Sequence, residues 1–364
     1  MDSVGVVEVL AVLAGLALVL VTGGDAVSTL VTTRRRRGQR WPTPVYYRWS
    51  WRAWRAIGRR GSPEWRESFL GIYGPLSLLG LLVFWVTLLV AGWGAVWWGL
   101  RSAVSGVHSY LDAVYFAGVG FFTVGFGDLL PTGGLARLLV IVEAFMGLLT
   151  MALLIGYLPT LYGAYSRREL QLLALDDLLD EPTTPVGFLE ASYANGGLQG
   201  VAAAFADWER WCDDVFDTHT AYPMLAMYRS RQPGQHWLTG LAVVVDAAAL
   251  SVAIADPNPA GPAARLWRRA TRLLQGLGRL PAVGLKVGHA GPGDAGPGAD
   301  EARFRAIYER LAGLGPPLRP YAEAWESYRR LRTGYVPELV AATELLLVPL
   351  EFRHQTSRLD LTGG

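Results

Sequence analysis

From Ser68 to Leu100 the chain runs for 33 residues without a charged side chain. A helix needs roughly 20 apolar residues to cross the ~30 Å hydrocarbon core of a bilayer, where backbone groups are satisfied only within helices or closed barrels. This run holds one complete span, with Trp93, Trp97 and Trp98 at its far end, where an aromatic belt meets the headgroups. Two more stretches qualify. One extends from about Val4 to Thr33, interrupted by Glu8 and Asp25 and densest between Val9 and Val21, and the other begins near Leu135 and is uncharged from Ala144 to Ser166. With Asp2 before it and Arg34–Arg37 behind, the first has the reverse charge order of a secretory leader and is read as a retained span. Only 18% of residues are charged and mean hydropathy is +0.25, against about 25% charge in soluble domains. A wholly soluble or wholly disordered chain is excluded.

Charge then orients the spans. No acidic residue lies between Asp25 and Glu64, while ten arginines fall between Arg34 and Arg60. The positive-inside tendency places this block in the cytoplasm and the N-terminus outside; the second span crosses outward, and the third returns to Arg167 and Arg168. Arg48, Arg52, Arg55 and Arg59 recur at helical spacing beside Tyr47, Trp51 and Trp54, which predicts an interfacial helix with Arg34–Arg60 facing anionic lipids. A voltage sensor spaces arginines similarly, but this stretch has no apolar run to carry them across the bilayer; the plain alternative is a solvated linker. No nucleic-acid partner is expected. Cys212 is the only cysteine, which excludes an internal disulfide and a thiolate metal site.

Between the second and third spans lies HSYLDAVYFAGVGFFTVGFGD, His108–Asp128. Its apolar part, Leu111–Phe122, is too short to span and predicts a re-entrant helix. Thr123-Val124-Gly125-Phe126-Gly127-Asp128 resembles the selectivity-filter signature of potassium channels. A filter offers a dehydrated cation several backbone carbonyls turned toward one axis. Adjacent carbonyls point the same way only if the backbone alternates in handedness, and Gly125 and Gly127 supply positive φ at little cost. The Thr123 hydroxyl adds a ring of ligands, and Asp128 stands at the outer mouth as a cation-concentrating carboxylate. One loop per chain implies a homotetramer. The negative end of the re-entrant helix would favour a cation in the cavity.

The resemblance extends along the third span. Gly147, nineteen residues after Asp128, stands where the inner helix of potassium channels has its hinge glycine, and Pro159 comes twelve residues later. Leu148, Met151 and Ile155 share the face implied to line the cavity and gate, with plain helix packing as the alternative. The layout is similar to a bacterial family of potassium-channel-like proteins with an extra N-terminal span, an Arg/Trp-rich cytoplasmic segment and a helical cytoplasmic domain. The similar stretches are Arg48–Arg60, Ile72–Ser77, Gly156–Ala164 leading into Ser166-Arg167-Arg168-Glu169, and Trp208–Trp237. Two departures, Phe126 for the usual tyrosine and Phe122 for a second threonine, bear on K⁺ over Na⁺ discrimination. Glu143, inside the third span, is read as packed and hydrogen-bonded behind the re-entrant helix.

The expected fold is therefore an all-α membrane protein with a potassium-channel-like pore unit. An N-terminal span (1–33) and the basic cytoplasmic segment (34–67) precede a pore domain (68–166), which divides into outer helix 69–100, pore helix 109–122, filter 123–128 and inner helix 135–165. Residues 167–364 form a cytoplasmic helical domain with helices near Arg167–Leu179, Gly200–Phe216, His236–Ala255, Ala263–Leu277, Asp300–Leu314 and Pro320–Leu331, and a flexible loop at 278–299. Residues 237–255 are long enough for a fourth span, but Asp246 at their middle favours a buried bundle helix. Asp213, Asp217 and His219 are candidate divalent-ion ligands, against a capped helix with salt bridges. No phosphate loop or nucleophile–base set is recognisable, so the expectation is a plasma-membrane cation channel, not an enzyme, with permeant K⁺ and no cofactor. The alternatives are a non-conducting relative acting as a membrane sensor or scaffold through residues 167–364, whose ligand the sequence does not identify, and a membrane-associated enzyme.

Overall fold

The computed structural model of the chain describes residues 3–31, 42–178, 184–231, 236–255, 261–277 and 300–348; the run Arg34–Arg37 and the segment 278–299 lie outside them. Among the described residues nearly everything regular is helical, with one two-stranded sheet. The chain divides into two compact units, Met1–Trp51 with Pro75–Tyr162, and Arg52–Gly74 with Gly163–Gly364.

The first unit is built from α1 (Ser3–Leu30), the start of α2 (Pro42–Gly58), most of α3 (Pro63–Gly99), β1 (Val104–Ser105), α4 (Tyr110–Phe121), β2 (Leu130–Pro131) and the first part of α5 (Gly134–Leu178). Helices α1, α3 and α5 are each long and apolar enough to cross a membrane. Two predicted boundaries move. Helix α3 starts at Pro63 rather than 69, with Glu64 in a first turn whose exposed N–H groups favour an acid. Helix α5 does not stop at 165: it runs unbroken through Pro159 for 45 residues, so the separate helix expected at Arg167–Leu179 is its continuation.

Glycines set how α1 meets α3. A Cβ on Gly15 would stand 2.5 Å from the Gly92 carbonyl oxygen, and one on Gly99 would stand 2.5 Å from that of Glu8. The two backbones touch antiparallel, as small residues permit between apolar helices. The acids interrupting the first span are both used as ties. Glu8 pairs with Arg101 at 2.6 Å. Asp25 is buried, and its Oδ2 accepts from the Thr43 amide (2.9 Å), the Thr43 hydroxyl (2.5 Å) and Trp85 Nε1 (2.9 Å).

The aromatic residues of the basic segment find their partners on α3. Tyr47 and Trp51 are buried, Tyr46 donates to the Ser77 carbonyl at 2.9 Å, and Trp54 stacks on Phe69 at 4.3 Å while donating to its carbonyl. The aromatic stripe packs against α3, because that helix offers it apolar area and backbone acceptors.

The second unit adds α6 (Pro185–Ala194), α7 (Gly197–Ala221), α8 (Trp237–Ile254), α9 (Gly261–Leu277), α10 (Glu301–Ala312), α11 (Tyr321–Arg332) and α12 (Val336–Leu346). Helix α8 is its centre: apolar enough to span, it has 83% of its residues buried by the protein itself. Asp246, midway along it, accepts from the Tyr328 hydroxyl (3.1 Å), Arg332 (2.8 Å) and Tyr335, so the buried charge is paired and hydrogen-bonded. The continuation of α5 is gripped through Arg168, which is buried and donates to Glu169 (2.9 Å), the Leu225 carbonyl (2.9 Å) and the Tyr228 carbonyl (2.9 Å).

Beside Arg168 lie two buried imidazoles. His219 stands 3.3 Å from the Arg168 guanidinium, and His236 accepts from the Leu238 amide at 3.1 Å. Burial first, then Arg168, holds His219 well below the usual histidine value; burial, Arg229 and Arg168 do the same for His236. Both groups stay neutral in the fold but charge in the unfolded chain near the ordinary value of about 6.5. Their stabilising contribution is therefore complete above pH ~6.5 and falls as pH drops below it. The denaturant midpoint of the full chain is expected to fall between pH 7.5 and 5.5, and H219Q/H236N is expected to flatten that dependence.

Candidate functional site

The loop between α3 and α5 is closed at its base. Strands β1 and β2 pair antiparallel, Val104 with Pro131 and Ser105 with Leu130, and the Thr132 amide donates to the Ala103 carbonyl at 3.0 Å. Inside this closure α4 starts with a capping box: Ser109 accepts from the Asp112 amide, and Asp112 accepts from the Ser109 amide at 2.7 Å. Its buried face, Ala113, Phe116, Ala117 and Phe121, packs into the core of this unit, with Phe116 edge-on to Trp97 at 5.0 Å.

The end of α4 dictates the backbone beyond it. The Val124 amide donates to the Val119 carbonyl at 2.9 Å and the Thr123 amide to the Gly120 carbonyl at 3.1 Å. This is a Schellman closure, which needs a left-handed residue after the cap. That residue is Thr123, with φ +55°. A β-branched residue in this region is strained, and strain of that kind collects at functional sites. Positive φ recurs at Gly125 (+68°) and Gly127 (+76°) but not at Val124 or Phe126. The backbone from Thr123 to Gly127 therefore alternates in handedness, the condition under which successive carbonyls face one side. The sequence motif points to the two glycines; the conformation of Thr123 arises from the helix end, which the motif does not reveal.

Within one chain these residues are open. Phe126 is 70% exposed, Val124 50% and Phe122 50%, and a Cβ on Gly125 or Gly127 would meet nothing within 4 Å. Asp128 accepts from the Tyr115 hydroxyl at 2.8 Å, which ties the outer end of the segment to α4. No sequence signal marks Tyr115, thirteen residues before its partner.

Behind α4 stands α5. Glu143 is fully buried and its Oε2 accepts from Trp97 Nε1 at 2.7 Å; a Cβ on Gly120 would lie 3.2 Å from that oxygen. One turn on, a Cβ on Gly147 would lie 1.9 Å from the Phe121 carbonyl oxygen. Gly147, expected as a hinge, lies within a continuous helix and is the point where α5 touches the end of α4. Of the expected lining residues, Leu148 and Ile155 are exposed in the single chain, Met151 packs partly against the core of the unit, and Pro159 is exposed within α5. The proposed ion ligands of the second unit do not converge: Asp213 and Asp217 face outward, Asp213 lies 3.4 Å from Arg269, and His219 is buried. Among the described residues no group of three or more His, Cys, Asp or Glu could hold a metal ion.

Residues 81–162, which contain this loop, match a family model described as ion channel. The chain is 26% identical over 204 residues to the uncharacterized membrane protein YdjJ of Bacillus subtilis (strain 168), covering 55% of this chain and 58% of that one. It is 35% identical over 93 residues to two pore potassium channel a of Oryza sativa subsp. japonica, covering 25% of this chain and 26% of that one. In both cases the chain matches less than two thirds of its relative. No solved structure matches it.

Two variants test the contact behind the loop. Gly147→Ala forces a methyl into the Phe121 carbonyl and is expected to destabilise by about 1–3 kcal/mol, read as a lower thermal midpoint of the detergent-solubilised protein. Glu143→Ala leaves the Trp97 N–H buried without an acceptor and is expected to cost more than Glu143→Gln, which keeps one.

Proposed function

We propose that four copies assemble around an axis into a cation channel, with K⁺ as the favoured ion and the plasma membrane as its location. The observation that carries this reading is the alternation of positive φ at Thr123, Gly125 and Gly127, directly after a capped helix too short to span. Four such segments around an axis would present stacked carbonyl rings from Thr123 to Phe126 in place of a hydration shell. The exposed side chains of Phe122, Val124 and Phe126 then gain cover from neighbouring copies. Asp128, oriented by Tyr115, forms the ring at the outer mouth, and Leu148, Met151 and Ile155, with the Pro159 segment below, border the cavity. Positive-inside ordering gives an external N-terminus and a cytoplasmic second unit.

Phe126 lacks the hydroxyl by which a filter tyrosine could be held to the pore helix. In this reading the Tyr115–Asp128 bond ties the segment to α4 in its place.

Rb⁺ uptake into proteoliposomes tests the proposal. Wild type is expected to take up Rb⁺ faster than Na⁺, and Gly125→Ala, which puts a side chain at φ +68°, is expected to abolish uptake without loss of the assembled form. Equal uptake in both proteins would overturn it.

A further inference from the structure

The aromatic side of α2 packs on α3, and its other side is turned outward. Arg48, Trp49 and Arg52 are exposed, with Val45 one turn before Trp49 on the same side. Trp49 is 65% exposed, against 46% for Trp65. Arg55 points elsewhere and donates to the Glu344 carbonyl at 2.9 Å. The face is fixed to two helices long and apolar enough to span: Thr43, the second residue of α2, is held by Asp25 of α1, and Tyr46 by Ser77 of α3.

We propose that the outward face of α2 around Arg48, Trp49 and Arg52 binds anionic phospholipid of the surrounding bilayer. Planar guanidinium groups take phosphate oxygens in pairs, and an indole settles at the level between headgroup and acyl chain. A second copy of this chain is a poor occupant, because no acidic residue lies between Asp25 and Glu64 and two such faces would bring like charges together. The helix fits an interfacial binder in having arginines beside exposed apolar side chains, but its bulk aromatic residues serve the protein interior, so Trp49 and Val45 are the parts that enter the lipid. This inference rests on the topology of the channel reading and not on conduction.

The test uses the full chain in lipid nanodiscs with spin-labelled phosphatidylglycerol or phosphatidylcholine, reading the motionally restricted fraction of each. Wild type is expected to restrict phosphatidylglycerol preferentially, less so at about 0.5 M salt, where charges are screened beyond a few ångströms. R48Q/R52Q is expected to lower that preference by about fivefold per arginine, and R330Q, at an exposed arginine of α11, to leave it unchanged. An undiminished preference in R48Q/R52Q would overturn the proposal; so would a changed oligomeric state by light scattering with the preference intact, which would make the face a contact between copies. Rb⁺ uptake on the same preparations separates the two readings: lipid preference without uptake sinks conduction alone, and uptake without preference sinks this inference alone.

Discussion

The structure of the loop turns on how one short helix ends. A helix leaves its last carbonyls without partners unless the chain beyond it turns back on them. Helix α4 answers with two backward hydrogen bonds, from Thr123 to Gly120 and from Val124 to Val119. Those bonds hold Thr123 left-handed, and the handedness then alternates through Gly125 and Gly127. The capping box at Ser109, the β1–β2 closure and the Tyr115–Asp128 bond fix the other ends of the same loop. The unusual backbone is thus imposed from both sides rather than adopted freely.

Support from behind is equally specific. Gly147 lets α5 approach the end of α4 to where a side chain would collide, Gly120 leaves room for the Glu143 carboxyl, and Glu143 accepts a hydrogen bond from Trp97 Nε1. A carboxyl group in a span is costly unless it is hydrogen-bonded. Its position between the outer helix and the last turn of α4 explains its presence in an otherwise apolar run.

Spans, re-entrant helix and motif are legible because each obeys local rules: length of apolar run, a cap, glycine spacing. The pore helix expected at 109–122 is found at Tyr110–Phe121 with Ser109 and Phe122 as caps. The hidden features depend on partners distant in sequence. The inward turn of Tyr47 and Trp51 depends on α3, and the approach of Gly147 to the Phe121 carbonyl depends on where α4 ends. The Tyr115 tie depends on a loop conformation. Asp246 is recognisable as incompatible with a span, but Tyr328, Arg332 and Tyr335, some eighty residues on, cannot be named as its partners from sequence. Helices α6 and α12 escape a periodicity reading because they are short and weakly amphipathic, and the end of α5 because a proline and two arginines resemble a stop signal.

Asp25 carries a consequence for biogenesis. Leaving the translocon, the first span holds an acid whose three donors belong to residues made later, Thr43 and Trp85. Until both have emerged, that carboxyl must keep to the aqueous edge, so lateral release of the first helix into lipid and its docking on the third helix become one event. A nascent chain halted before Trp85 would hold a first helix neither released nor seated.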